Sequence, residues 1–220
     1  VPTAPAGGSA LVTVGCRFVC DGAGERWLHP ALLATLVYRY GPPDADADVA
    51  VSRLMINGQC TAVRRQALLD AGAYRAASGH MTDDAAFARA LARQGWTIAF
   101  HDGGGLIDVD MHEGAAETWR EWGRSIALPD VTSPAWRAAD VAVVWLTLGL
   151  PWLKLATRRA SRLDLALLIL RLAMTGAFAR SYARRGLPFW LSPLADVPAA
   201  ARLTWSAVRP ARRWRGRVYE

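Results

Sequence analysis

The spacing of apolar positions changes repeatedly along the chain. Residues 11–20 alternate apolar with β-branched side chains, the period-two pattern of a strand. Residues 25–40 (ERWLHPALLATLVYRY) switch to helical spacing, with Trp27, Leu28, Leu32, Leu36 and Arg39 in register. Pro30 falls in the first turns, where a missing N–H is tolerated. Tyr, Trp and Arg at the ends suit a helix lying in a membrane interface, and equally an amphipathic helix packed on a core. Further on, residues 60–63 predict a buried strand, and residues 65–72 a helix closed by Gly72. A second amphipathic helix starts at Thr82-Asp83-Asp84, with Thr82 as N-cap and Phe87, Leu91 and intervening alanines as its apolar face. Gly95 ends it, and residues 96–100 (WTIAF) predict another short strand. Strand and helix alternate, so this part of the chain is α/β.

The second half is more apolar. Residues 107–111 lead into a helix over 114–128, with Trp119, Trp122 and Ile126 on one face and Arg120 and Arg124 on the other. Residues 141–155 and 163–179 are long apolar runs, interrupted by Pro151 and by Asp164 and Arg171. Each is near the short limit for crossing a bilayer. Residues 189–208 form a third, weaker run. With both the α/β part and the basic tail in the cytoplasm, two full crossings are expected. Arg158, Arg159 and Arg162, in the loop between the first two runs, then oppose the positive-inside trend. Arg171 inside an apolar run requires a partner or a route to the interface.

Composition sharpens this picture. Across 220 residues the hydrophobic share is 52%, high for a soluble domain, and the mean hydropathy is positive. The net charge of +7 is concentrated at the end: residues 180–220 hold nine Arg against Asp196 and Glu220, so the remainder sums to zero. A basic tail beside apolar segments suits the cytoplasmic face of a membrane, and the apolar runs disfavour a solvated nucleic-acid surface. The residues 1–9, rich in Pro, Ala and Gly, predict a frayed start.

Few residues have the spacing of a reactive centre. Cys16, Cys20 and Cys60 match neither a disulfide framework nor a zinc site, and His29, His101 and His112 share no ligand spacing. His80, four residues before Asp84, is a candidate to line a cleft there. The acidic stretch with Asp44, Asp46 and Asp48 contains D-x-D, but Gly-Pro-Pro precedes it and no strand feeds it, so a solvated loop is expected. Adjacent Asp83 and Asp84 suit a helix start, where carboxylates oppose the macrodipole. They also suit a general base facing a cleft.

The order of segments separates these readings. Asn57-Gly58-Gln59, a strand running into Arg64-Arg65, a helix ending Ala71-Gly72-Ala73-Tyr74, and then Thr82-Asp83-Asp84 together resemble the acceptor half of a family-2 membrane glycosyltransferase. The ending Trp214-Arg215-Gly216-Arg217-Val218-Tyr219 is similar to the tail of its hopanoid-, carotenoid- and ceramide-type members. The resemblance implies a GT-A-like catalytic part over residues 1–130, then membrane-associated helices and a basic tail over 131–220. It implies an inverting transferase with Asp84 as general base and Asp83 in the place of a glutamate. Asn57, Gly58, Gln59, Trp119, Arg120, Trp122 and Arg124 would line the site. Glu121 stands where the family carries Arg before Trp, a departure that Arg120 or Arg124 would have to make good. The implied partners are a nucleotide-sugar donor, a lipid acceptor and the cell membrane, with no nucleic acid. A divalent cation (Mg or Mn) is implied as cofactor, its ligands expected in a nucleotide-binding half upstream of Val1, with no metal ligand in this chain. The competing expectation is a membrane-anchored scaffold that pairs with a separate nucleotide-binding chain.

Overall fold

The computed structural model describes residues 11–44, 49–211, 213–214 and 216–219. The expected frayed start, Asp46, Asp48, Arg212 and Arg215 lie outside the described residues. The protein is α/β and helix-rich, with a small mixed sheet. It divides into two compact units that interleave along the chain: residues 1–16, 40–106 and 212–220, and residues 17–39 and 107–211.

In the first unit, β1 (Leu11–Gly15) is the centre of a three-stranded sheet. It pairs antiparallel with β3 (Thr61–Val63) and parallel with β4 (Ile98–Asp102). β3 was expected to be buried; it is an edge strand with Thr61 and Ala62 exposed, because only β1 flanks it. α2 (Arg65–Ala71) ends at Gly72, whose φ of 62° is a left-handed cap that favours glycine. α3 (Ala73–Ala77) follows and packs on α4 (Asp83–Arg93), where Phe87, Ala88 and Leu91 are buried as their spacing predicts. Of the acidic stretch, Asp44 is exposed, as expected of a solvated loop, and is also bonded. His101 Nδ1 lies 2.6 Å from the Asp44 carboxylate, which also accepts from the Asp102 N–H at 2.9 Å. β6 (Arg213–Trp214) and β7 (Arg217–Val218) pair as a hairpin around Gly216.

In the second unit, β2 (Arg17–Val19) pairs in parallel with β5 (Asp108–Asp110), and Arg17 grips Asp108 with two bonds of 2.8 Å. α1 (Ala23–Tyr40) buries Leu28, Ala31, Leu32 and Ala34 in a core shared with Val144, Leu148, Phe189 and Leu203. Of the two readings of this helix, the core-packed one holds. Pro30 lies deeper than the first turns and removes one ladder bond there, within a helix that tertiary packing surrounds.

His29 on α1 is fully buried. Its Nδ1 is 2.7 Å from the Tyr182 hydroxyl, and its ring is 4.3 Å from that of Trp122. Burial pushes its pKa down to about 3, with His112 adding repulsion. A folded pKa below the ordinary value means that the unfolded chain binds the proton first. Stability is therefore expected to fall between pH 6.5 and about 3, by about 1.4 kcal/mol per pH unit from this group. Denaturant titrations of wild type and His29→Phe across that range should show the steeper loss in the wild type, and parallel curves would remove His29 as the cause.

α5 (Ala115–Ser125) precedes a helix built from α6 (Pro134–Val144), a π turn (Trp145–Gly149) and α7 (Leu150–Ala156). Pro151 has no N–H and crowds the carbonyl one turn back, and the wide π turn before it absorbs the mismatch. A side chain at Gly149 would come within 2.6 Å of the Trp145 ring, so glycine is required. Pro134–Ala156 is the one helix among the described residues long and apolar enough to cross a membrane, at 23 residues. The other expected crossing is α8 (Arg162–Phe178), which with 17 residues falls short of that length. Residues 189–208 break into the end of α9 (Gly186–Trp190), a 3-10 turn (Ser192–Ala195) and α10 (Asp196–Val208). Arg171 finds the partner its position demands. Its Nε donates to Asp196 at 2.9 Å, and another guanidinium nitrogen donates to Thr175 Oγ1 at 2.7 Å.

Candidate functional site

Asp84 sits in the first turn of α4, half-buried, while Asp83 beside it is exposed. Thr82 occupies the N-cap position but its side chain makes no capping bond. The two carboxylates do that work instead. Asp83 Oδ1 accepts from the Asp84 N–H at 3.0 Å, and Asp84 Oδ1 accepts from the Ala85 N–H at 2.7 Å. Burial raises the Asp84 pKa above the ordinary carboxylate value. The Ala85 N–H pulls it back, the Asp83 charge raises it again, and the Gly58 N–H opposes that.

Gly58 is the link between the two motifs. A Cβ built on it would stand 2.7 Å from Asp84 Cβ and 3.1 Å from Oδ2. Only hydrogen fits where the turn backbone meets the carboxylate. The turn itself is held from β1. Thr13 Oγ1 donates to the carbonyls of Asn57 and, at 3.1 Å, of Cys60. Asn57 closes its own turn by accepting from the Gln59 N–H at 3.2 Å, and its amide donates to the Val14 carbonyl at 3.3 Å. Behind α4, buried Arg89 donates to the Leu54 carbonyl at 3.0 Å, fastening the segment that enters the turn. Gly58→Ala should therefore displace Asp84 and cost ~1–3 kcal/mol through overpacking. Chemical denaturation would check this, and an unchanged midpoint would show that the turn simply gives way.

Asp83, Asp84, Asn57 and Gly58 are thus brought together, with exposed Gln59 at the turn's outer corner. Thr13 and Arg89 escaped the sequence reading. A polar residue at the centre of an apolar strand (LVTVG) and a charge on the buried face of α4 were the available signals.

Trp119, Arg120, Trp122 and Arg124 lie on α5 in the second unit. Trp119 is 39% exposed, with the Arg202 guanidinium 5.7 Å from its ring and donating to its carbonyl at 3.0 Å. Trp122 turns the other way and packs against His29 and Phe18. Glu121 draws in two arginines of its own helix, Arg120 at 3.0 Å and Arg124 at 3.3 Å. Arg120 also lines an open depression of about 450 Å³ at the start of α5, with Glu113, Gly114, Ala115, Ala116 and Glu117.

Among the described residues no group of three or more His, Cys, Asp or Glu side chains converges as a metal site. Asp83 and Asp84 bond the helix start, and the resemblance places the ligands of the implied divalent cation outside this chain. Comparison with family models, curated proteins and solved structures finds no match to this chain.

Proposed function

We propose that this chain carries the acceptor-side part of an inverting family-2 glycosyltransferase with a GT-A-like fold. It would move a sugar from a nucleotide-sugar donor to a hydroxyl of a lipid or membrane-embedded acceptor at the cytoplasmic face of the cell membrane. The observation that carries this reading is the seating of Asp84 against Gly58. Two motifs, spaced by more than twenty residues in sequence and ordered as in that family, meet at a half-buried carboxylate whose pKa burial has raised.

Asp84 acts as general base. As the acceptor oxygen attacks the anomeric carbon, its proton passes to the Asp84 carboxylate. The bond to the donor's diphosphate breaks on the opposite face, so the configuration inverts and no free alkoxide forms. A base with a raised pKa takes that proton more readily than an exposed Asp. Asp83 raises the pKa by its charge, and the Asn57-Gly58-Gln59 backbone fixes where the carboxylate points. On α5, Trp119 and Arg120 are exposed, while Trp122 packs inward against His29 and Phe18.

The test is transfer of label from a panel of nucleotide sugars to lipids, in membranes carrying the full-length gene product. A glycolipid product dependent on that gene is expected. Its absence with every donor would overturn the transferase reading in favour of a scaffold.

A further inference from the structure

We infer that α8 lies along an anionic membrane surface with its outward face in one leaflet, instead of crossing the bilayer. The inference deepens the membrane side of the proposed function and does not depend on its chemistry. The helix is inside out. Its buried stripe, recurring every three or four residues, is Asp164, Leu168, Arg171, Thr175 and Phe178, three of the five polar. Each polar member is satisfied within the unit: Asp164 by the Ser161 capping box and by Lys154 at 3.0 Å, Arg171 by Asp196, and Thr175 by Arg171. The opposite half of its circumference is Leu, Ile and Ala, with Leu163 and Ile169 each 68% exposed and Leu165, Leu170 and Leu172 also exposed. α7, which packs alongside, adds exposed Leu153 and Leu155. Water would select the reverse arrangement, and acyl chains select this one.

Charge identifies the occupant. Exposed Arg158, Arg159 and Arg162 stand at the start of α8, and exposed Arg180, Arg184 and Arg185 beyond its end, Arg184 also pairing with Asp21 at 2.9 Å. Arginines rimming an apolar face complement anionic headgroups, where each basic side chain strengthens binding. Because both ends are basic, both belong at the same headgroup layer. Length agrees: 17 residues make a helix about 25 Å long, short of the ~30 Å hydrocarbon core. This arrangement also accounts for the arginines that oppose a two-crossing topology.

The test uses the purified full chain and vesicles of one part phosphatidylglycerol to two parts phosphatidylcholine. Flotation should show binding roughly tenfold or more tighter than to pure phosphatidylcholine, weakening in high salt. Ile169→Glu with Leu172→Glu, both at outward positions, should weaken binding by roughly tenfold or more while the melting curve in detergent stays unchanged. Undiminished flotation of the folded double variant would overturn the inference. For the single-leaflet geometry, Arg159→Cys in a Cys60→Ser background is added to sealed vesicles from outside. A membrane-impermeant maleimide should label it at once; labelling only after detergent would show a crossing and overturn the geometry. Flotation is read without any sugar donor, so failure of the transferase reading leaves these outcomes distinct.

Discussion

Replacing Asp84 with Asn is expected to lower sugar transfer by roughly 100- to 10,000-fold, the range spanned by a lost general base. The substitution keeps an oxygen for the Ala85 N–H and nearly the same volume beside Gly58, so position is retained and proton acceptance is lost. Two further readouts separate a base from a structural carboxylate. The first is stability. The raised pKa means that the charged form is disfavoured in the fold, a penalty absent at low pH that sets in as pH rises through the folded value. Asp84→Asn should thus melt higher than wild type at pH 7, with the gap closing in acid. The second is the pH profile. Transfer should fall as pH drops through the Asp84 pKa, and Asp83→Asn should move that acidic limb to lower pH by removing a neighbouring charge. An inactive variant that is also less stable at pH 7 would return Asp84 to a helix-capping role.

Removing one member of the Arg171–Asp196 pair is expected to cost ~3–5 kcal/mol, because the survivor is left charged and uncompensated in an apolar surround. Both residues are fully buried, and Trp152 adds a bond of 3.4 Å to the same carboxylate. Arg171→Met alone and Asp196→Leu alone should each lower the thermal midpoint sharply. The double variant should recover most of the loss, since two hydrophobic side chains of similar size pack without a desolvation cost. Additive losses in the double variant would show that shape, not charge, holds these helices together. The same experiment bears on α8, whose outward apolar face is possible only because its polar stripe is satisfied inside.

Much of the element order was legible in the sequence. Helical spacing marked α1 and α4, and Gly72 marked the end of α2, because each signal is local: a period, a cap or a permitted backbone angle. Alternation over residues 11–20 marked one strand where the chain forms two, β1 and β2, in separate sheets. The candidate site was legible in its members but not in its joints. Nothing in Asn57-Gly58-Gln59 states that its glycine must be glycine because Asp84 stands 2.7 Å from where a Cβ would be. Thr82 looked like a cap, yet Asp83 and Asp84 take the backbone bonds. Three apolar runs were read in the second half, the last of them weaker, yet residues 134–156 form one long helix, α8 turns leucines outward, and residues 189–208 break into short pieces.

By itself the sequence determined the alternation of strands and helices, the position of the acidic helix start, the basic ending and the need for Arg171 to find a partner. Those follow from composition, period and charge, which a chain carries whatever its fold. Only the tertiary structure decided which carboxylate meets which turn, that Asp196 answers Arg171, and which face of each apolar helix is left outside. Such facts depend on pairs of residues far apart in the chain, and their energies exist only once packing has removed water from between them.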